Sequence, residues 1–179
     1  MKTLTLLRHA KSGWDDPVAR DFDRQLNGKG RRAAALIGRQ MRQLSLSFDH
    51  VVASPAVRVV ETVAEVEGGY GRTLAPTWDK RAYLASSAML LDLVRETDEA
   101  HASLLLIGHN PGLEELVLEL VPDLPGGLRD SVEEKYPTAT LAQMTFAATR
   151  WAEIAPGDAT LVRFVRPRDL DPSLGPDAD

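Results

Sequence analysis

Two histidines and two arginines stand where predicted strands end, at three separate places along the chain. Arg8 and His9 close one apolar run, Arg58 follows a second, and His109 follows a third. Ligands of open α/β sheets bind at the carboxyl ends of the strands. We therefore expect these four side chains to meet at one edge of a sheet, where a local cluster of cations could hold an anionic substrate.

The alternation of strands and helices predicts the fold that would bring them together. Strands are predicted at 3–7, 50–53, 103–107, 141–146 and 160–165, with a weaker one at 73–76. One helix is predicted to begin near 27–28. Three further helices are predicted to cover 54–66, 86–96 and 111–121. This order indicates a single three-layer α/β/α domain over residues 1–166 with a mostly parallel central sheet. The Pro- and Asp-rich segment 167–179 is expected to be a mobile tail.

The composition limits the cellular compartments and the kinds of partner that we expect for this protein. The 179-residue chain has no Cys, which excludes disulfides, thiolate metal sites and a cysteine nucleophile. Its formal net charge of -5 argues against nucleic acid as a partner. The apolar stretch at 4–7 is too short for a signal peptide or a membrane span. We therefore expect a cytoplasmic protein with no nucleic-acid or membrane partner.

The motifs around these residues resemble those of the histidine phosphatase superfamily, specifically its SixA-type phosphohistidine phosphatase branch. The resemblance runs from Thr3 to about Arg166 and includes four motifs in the family's order. They are Arg8-His9; Asp23-Arg24-Gln25-Leu26 with Gly30; Ser54-Pro55 with Arg58 and Thr62; and Gly108-His109-Asn110-Pro111-Gly112. The resemblance implies a phosphoglycerate-mutase-like fold and a phosphohydrolase that needs no metal and no organic cofactor.

The resemblance also implies a role for each of the four residues. His9 attacks phosphorus through a ring nitrogen and forms a covalent phosphohistidine that water hydrolyses. An imidazole with a pKa of about 6.5 suits this task, because much of it is neutral and nucleophilic at neutral pH. Arg8 and Arg58 bind the phosphoryl oxygens, and His109 donates a hydrogen bond to one of them.

Four neighbouring residues receive lesser roles. Asp23 and Arg24 match the family's helix-entry motif and are expected to orient the loop around the pocket. Ser12 could add a hydroxyl contact to the phosphate, and Lys11 could widen the positive field.

Two departures from the superfamily pattern bear on the pocket and the substrate. Ala10 stands where the superfamily usually has Gly, and its methyl group restricts the backbone and the approach of phosphate. Between Thr73 and Ser87 no residue convincingly matches the carboxylic acid that mutase-like and sugar-phosphatase members use, and Asp79 is the only local carboxylate. An alkoxide leaving group needs such a proton donor, whereas phosphohistidine can leave as neutral imidazole. A phosphohistidine-containing protein is therefore the expected substrate.

Two other functions stay open at this point. One is hydrolysis of a small phosphate ester, with Asp79 or another group as the acid. The other is a non-catalytic phosphate-binding or protein-interaction module, against which the intact His9 argues. A metal site is not expected, because His9 and His109 have arginine neighbours that would repel a cation.

Other polar residues receive structural interpretations. Ser54 and Ser87 are predicted to cap helices, and either Ser86 or Ser87 is expected to begin the helix that ends near Glu96. His50 and His101 lack a motif, so they are expected on the surface or at a strand edge.

Overall fold

A six-stranded mixed sheet carries Arg8, His9 and His109 at or just beyond the ends of its strands, and Arg58 lies in the first turn of a helix that follows another strand. The computed structural model describes residues 1–14, 17 and 20–175. The strands are β1 (Lys2–Arg8), β2 (His50–Ala53), β3 (Thr77–Trp78), β4 (Ser103–Gly108), β5 (Leu141–Phe146) and β6 (Ala159–Val165). Their order is β3-β2-β4-β1-β5-β6. The first four of these pair in parallel, and β5 runs antiparallel to both β1 and β6.

Helices connect the strands and cover the two faces of the sheet. They are α1 (Gly28–Gln43), α2 (Val57–Tyr70), α3 (Ser87–Arg95), α4 (Gly112–Leu120), α5 (Leu128–Glu134) and α6 (Pro167–Leu170). Within the part of the chain that the structure describes, no helix is long and apolar enough to cross a membrane.

Two apolar cores lie on opposite faces of the sheet, because neighbouring residues of a strand point to opposite sides. In β4, Leu104 and Leu106 pack with side chains of α3 and α4, whereas Leu105 and Ile107 pack with side chains of α1 and α2. The strand is therefore apolar throughout, as expected of a strand covered on both faces. The three-layer α/β/α domain predicted from the sequence is confirmed.

The parallel strands β1, β2 and β4 end at the same edge of the sheet. The backbone amide of His9 donates to Gly108 O at 3.0 Å, and that of Ser54 donates to Ile107 O at 3.0 Å. His109 follows β4 directly. The three segments that carry the predicted motifs therefore leave the sheet side by side.

Several predicted boundaries differ from those in the structure. β3 covers only Thr77–Trp78 and not 73–76, and α5 was not predicted. α2 begins at Val57 rather than at Ser54, whose hydroxyl accepts from Ala56 N at 3.3 Å in a local turn. Ser86, not Ser87, caps α3 by accepting from Met89 N at 3.2 Å.

The segment after Arg166 buries more apolar surface than its composition suggests. Pro167–Leu170 forms α6, and Leu170 and Leu174 pack against the core between the sheet and α1. Lys29 Nζ also donates to Gly175 O at 2.7 Å. The expectation of little burial is therefore wrong for 167–175, whereas 176–179 lie outside the described residues and their mobility stays a prediction.

The crossing of α1 and α2 depends on glycines at which the two backbones touch. A Cβ on Gly69 would lie 2.1 Å from Ala35 O, and one on Gly38 would lie 2.2 Å from Val66 O. No side chain can occupy either position unless the helices move apart. This contact sets where α2, and with it Arg58, stands relative to the loop before α1.

Two neighbouring substitutions in α2 test this close contact. We expect Gly69→Ala to lower the free energy of unfolding by about 2–3 kcal/mol through overpacking. Gly68→Ala is the matched control, because no other element among the described residues has an atom within 4 Å of its added Cβ, and we expect a gain of up to about 1 kcal/mol from helix propensity. Urea denaturation measures both, and equal effects would contradict the assigned contact.

Candidate active site

The His9 ring is held in a single tautomer by a backbone carbonyl. Its Nδ1 lies 2.7 Å from Ala10 O. A carbonyl oxygen can only accept a hydrogen bond, so Nδ1 carries the proton. The unprotonated Nε2 then has the lone pair, which is the state that a nucleophilic imidazole needs.

The surroundings of His9 keep the ring uncharged. Its side chain is buried, and burial lowers the pKa of His9 well below the ordinary histidine value. The hydrogen bond to Ala10 opposes this shift, while the positive charges of Arg8 and Arg58 add to it. The neutral form therefore persists from neutral pH into the acidic range.

His109 lies beside His9 and is also neutral. The two ring centroids are 5.2 Å apart. Arg58 Nη2 lies 3.3 Å from His109 Nδ1, and because a guanidinium only donates, Nδ1 is the acceptor. His109 Nε2 then donates to Ser54 Oγ at 2.7 Å. Burial and the charge of Arg58 lower the pKa of His109 to about 4.

Arg58 is bound by a carboxylate that the sequence did not single out. Its side chain is only 2% exposed, and Nη1 donates to Asp21 O at 2.6 Å while Nη2 donates to Asp21 Oδ2 at 3.0 Å. The Tyr83 hydroxyl donates to the same carboxylate oxygen. Although burial raises the pKa of Asp21, the hydrogen bonds from Tyr83 and Arg58 hold it below the ordinary range. Asp21 is therefore an anion that forms an ion pair with Arg58, the guanidinium that is predicted to bind phosphate.

Arg8 and Arg24 bring two further positive charges to the same place. Arg8 Nη1 donates to Tyr136 O at 2.9 Å, and its charge lowers the pKa of both His9 and His109. Arg24 stacks on Trp14, with 3.7 Å from its guanidinium carbon to the ring centroid, and Arg24 Nε lies 3.3 Å from Asp21 Oδ1. The charge of Arg24 also lowers the pKa of His109. Arg24 therefore contributes directly to the positive field, beyond the orienting role expected of it.

Thr62 joins the loop of His9 to the helix of Arg58. Its hydroxyl accepts from Ala10 N at 2.9 Å and donates to Arg58 O at 2.6 Å. The Ala10 side chain is fully buried among core residues of α1 and α2, and its backbone has no positive φ. Alanine therefore fits this position without strain, and its methyl group adds to the core.

The other candidate residues lie outside this cluster or are engaged elsewhere. Asp79 Oδ1 accepts from Arg81 N at 2.9 Å, and its carboxylate pairs with the Arg81 guanidinium at 2.7 Å, which lowers the pKa of Asp79. This carboxyl is therefore ionised at neutral pH in the empty site. Asp23 pairs with Arg20 at 2.8 Å.

The remaining polar candidates have structural contacts. Ser12 forms an isolated backbone bridge with Leu26. His50 and His101 stack with ring centroids 5.1 Å apart, next to the start of β2 and therefore at the sheet edge opposite the site. In the described ranges, no group of three or more His, Cys, Asp or Glu is arranged to bind a metal ion.

Asp21 and Tyr83 also belong to the site and were not predicted from the sequence. Asp21 lies two residues before the Asp23-Arg24 motif, and only Asp23 of these two carboxylates belongs to the motif. Tyr83 lies in the segment 73–87, where the family resemblance implies a carboxylic acid and gives no indication of a phenol. Its ring centroid lies 5.4 Å from that of His109.

Sequence comparisons point to one family. The family model of the histidine phosphatase superfamily (branch 1) matches residues 4–81. An uncharacterized protein of Mycobacterium tuberculosis is 32% identical over 164 residues, which cover 90% of this chain and 100% of the relative. An uncharacterized protein of Mycobacterium leprae is 28% identical over 169 residues, with coverage of 90% and 100%.

Solved structures agree with the sequence comparisons. A protein that carries the name SixA, from Nakamurella multipartitia, superposes with a TM-score of 0.80 at 28% identity and covers 93% of this chain and 96% of its own. A second protein of that name, from Agrobacterium tumefaciens, gives a TM-score of 0.76 at 28% identity, with coverage of 92% and 97%. A protein histidine phosphatase SixA complexed with tungstate shares the fold at 21% identity and a TM-score of 0.76, with coverage of 94% and 99%. The chain therefore belongs to the histidine phosphatase superfamily, in its SixA-type branch.

Proposed function

We propose that this phosphatase hydrolyses a protein phosphohistidine through a covalent phospho-His9 intermediate and without a metal ion. The observation that carries the proposal is the His9 ring, which is neutral, bonded through Nδ1 and left with its Nε2 lone pair beside a group of arginines. A His-containing phosphotransfer domain or a phosphocarrier protein would be a fitting partner.

The first step exchanges one phosphorus–nitrogen bond for another. His9 Nε2 attacks phosphorus, and the bond from phosphorus to the substrate imidazole breaks. A substrate ring that is protonated on its other nitrogen leaves as neutral imidazole and takes no further proton. His9 becomes a phosphoimidazolium, whose positive charge strengthens the hydrogen bond from Nδ1 to Ala10 O.

The second step releases the phosphate. Water attacks the phosphorus of phospho-His9 and keeps both of its protons on the product, so dihydrogen phosphate leaves as the phosphorus–nitrogen bond breaks. The electron pair of that bond returns to Nε2, and Nδ1 retains its proton throughout. His9 is thereby restored to its starting tautomer without the help of another base.

The charge of the phosphoryl group would be balanced by guanidinium groups. Arg8 and Arg58 would bind its oxygens, and the buried Arg58 Nε, which has no hydrogen-bond partner among the described residues, would gain an acceptor. His109 would donate to an oxygen through Nδ1 after taking up a proton. A dianion in contact with the ring favours that proton, in spite of the low pKa of His109 in the empty site.

The state of the nearby acids favours phosphohistidine over alkyl phosphates. Asp79 is ionised and bound to Arg81, and Asp21 is ionised and bound to Arg58. Burial and the charge of Asp21 raise the pKa of Tyr83, whose proton is engaged by that carboxylate. No carboxylic acid is therefore ready to protonate an alkoxide among the described residues around the site. A substrate that leaves as neutral imidazole avoids this requirement.

Phosphoenzyme trapping tests the nucleophile. We expect wild-type protein to take label from a radiolabelled phosphohistidine protein and to hold it in an acid-labile, alkali-stable bond, as a phosphoramidate requires. His9→Ala should take no label, because the attacking nitrogen is gone. His101→Ala is the matched control and should label like wild type. Equal labelling of His9→Ala would refute the assignment, and loss of wild-type activity in EDTA would refute metal independence.

Tungstate binding tests whether Asp21 competes with the phosphoryl group for Arg58. We expect Asp21→Asn to bind tungstate about three- to tenfold more tightly, because a neutral amide removes a negative charge from the anion site. Asp23→Asn is the matched control, since its carboxylate pairs with Arg20 in the same turn. Calorimetric titration gives both affinities. Weaker binding by Asp21→Asn would show that the carboxylate positions Arg58 instead of competing with the ligand.

A further inference from the structure

A cationic cavity of about 280 Å³ adjoins the candidate active site. Half of the residues that line it are lysines or arginines, and no Asp or Glu is among the lining residues that the structure describes. The cations are Arg8, Lys11, Lys29, Lys135, Arg166 and Arg168. Such a concentration of positive charge stands out in a chain whose net charge is -5. It creates a local field that attracts anions.

Part of this charge is not held in hydrogen bonds or ion pairs with carboxylates. Arg166 pairs with Asp169 at 2.8 Å. Lys135 and Arg168, by contrast, form no side-chain hydrogen bond or ion pair with any of residues 1–14, 17 and 20–175. These two side chains come from different elements, the end of α5 and the first turn of α6. An anion between Lys135 and Arg168 could accept hydrogen bonds from both side chains.

Several residues that line the cavity are close to His9 along the chain or bonded to its backbone neighbours. Arg8 lines the cavity and precedes His9, and Lys11 lies two residues beyond His9, at most about 7 Å along the backbone. Thr138 also lines the cavity, and the next residue, Ala139, donates its backbone N–H to His9 O at 3.0 Å. A ligand that presents a phosphoryl group to His9 could therefore place a second group in the cavity.

The size and lining of the cavity suit an acidic side chain better than an inorganic anion. The cavity volume of about 280 Å³ is larger than a single oxyanion needs. Ala33, Pro137, Pro167 and Leu174 add apolar wall between the cations. Methylene groups of Asp or Glu could contact this wall while their carboxylates pair with Lys135 and Arg168.

We propose that this cavity binds acidic side chains that flank the phosphohistidine of the substrate protein. The proposal rests on the proposed function and adds to it the recognition of the surrounding sequence. The cavity acts on binding and not on chemistry, so it changes KM and leaves kcat unaltered. Because the attraction is between exposed charges, it weakens as salt is added.

Two phosphohistidine peptides that differ only in their flanks test the proposal. One carries Glu on both sides of the phosphohistidine and the other carries Gln. We expect a lower KM for the Glu peptide in wild type, and a rise of about five- to tenfold in that KM for Lys135→Gln/Arg168→Gln. The KM for the Gln peptide and both kcat values should stay unchanged. Arg39→Gln/Arg42→Gln removes the same charge from exposed positions of α1 and should change neither peptide.

A direct binding measurement separates this proposal from the proposed function. Fluorescence anisotropy with an unphosphorylated Glu-flanked peptide needs no turnover, so it reports on the cavity even if phosphohistidine is not a substrate. We expect tighter binding by wild type than by Lys135→Gln/Arg168→Gln. Equal affinities, or equal KM values for the Glu and Gln peptides in wild type, would overturn the proposal. So would saturable binding of inorganic sulfate without any binding of the Glu peptide, which would assign the cavity to a free anion.

Discussion

The hydrogen bond from His9 Nδ1 to Ala10 O determines what the candidate site can do. It fixes the proton on one nitrogen and leaves the lone pair on the other, and burial keeps the ring neutral. Without this bond a buried imidazole could place its proton on either nitrogen, and only one of the two forms could attack phosphorus through Nε2. The same bond would stabilise the charge that appears on the ring once it is phosphorylated. A single local contact therefore serves both halves of the proposed cycle.

The rest of the fold holds that ring among fixed charges. Parallel pairing of β1, β2 and β4 brings three chain segments to one edge, and Thr62 ties the loop of His9 to the helix of Arg58. The glycine contact between α1 and α2 sets the distance between these pieces. In the empty site, the Asp21 carboxylate partly offsets the positive field. Arg58 and Arg24 are thus paired with Asp21 before substrate arrives, which reduces the cost of holding several like charges together.

The sequence predicted the features that depend on local pattern. Apolar runs indicated where the strands lie. His9, Arg58 and His109 follow these runs, so they could be predicted to lie together, because the sheet brings the carboxyl ends of parallel strands together. Features that depend on long-range contacts were missed. Nothing near Asp21 in the sequence indicates that its carboxylate meets an arginine in α2, and Ser54 looked like a helix cap because its partner, His109, is far along the chain. Leu170 and Leu174 likewise gain their burial from a core built by earlier segments.

Nitrogen NMR of the His9 ring is the most direct test of this account. In protein with ¹⁵N-labelled histidine, we expect His9 to show a protonated Nδ1 and an unprotonated Nε2 at pH 7, and to stay neutral as the pH falls well below 6.5, the ordinary histidine value. His9→Ala identifies the signal. A ring that carries its proton on Nε2, or that is doubly protonated at pH 7, would contradict the account, because it would have no lone pair at the attacking nitrogen.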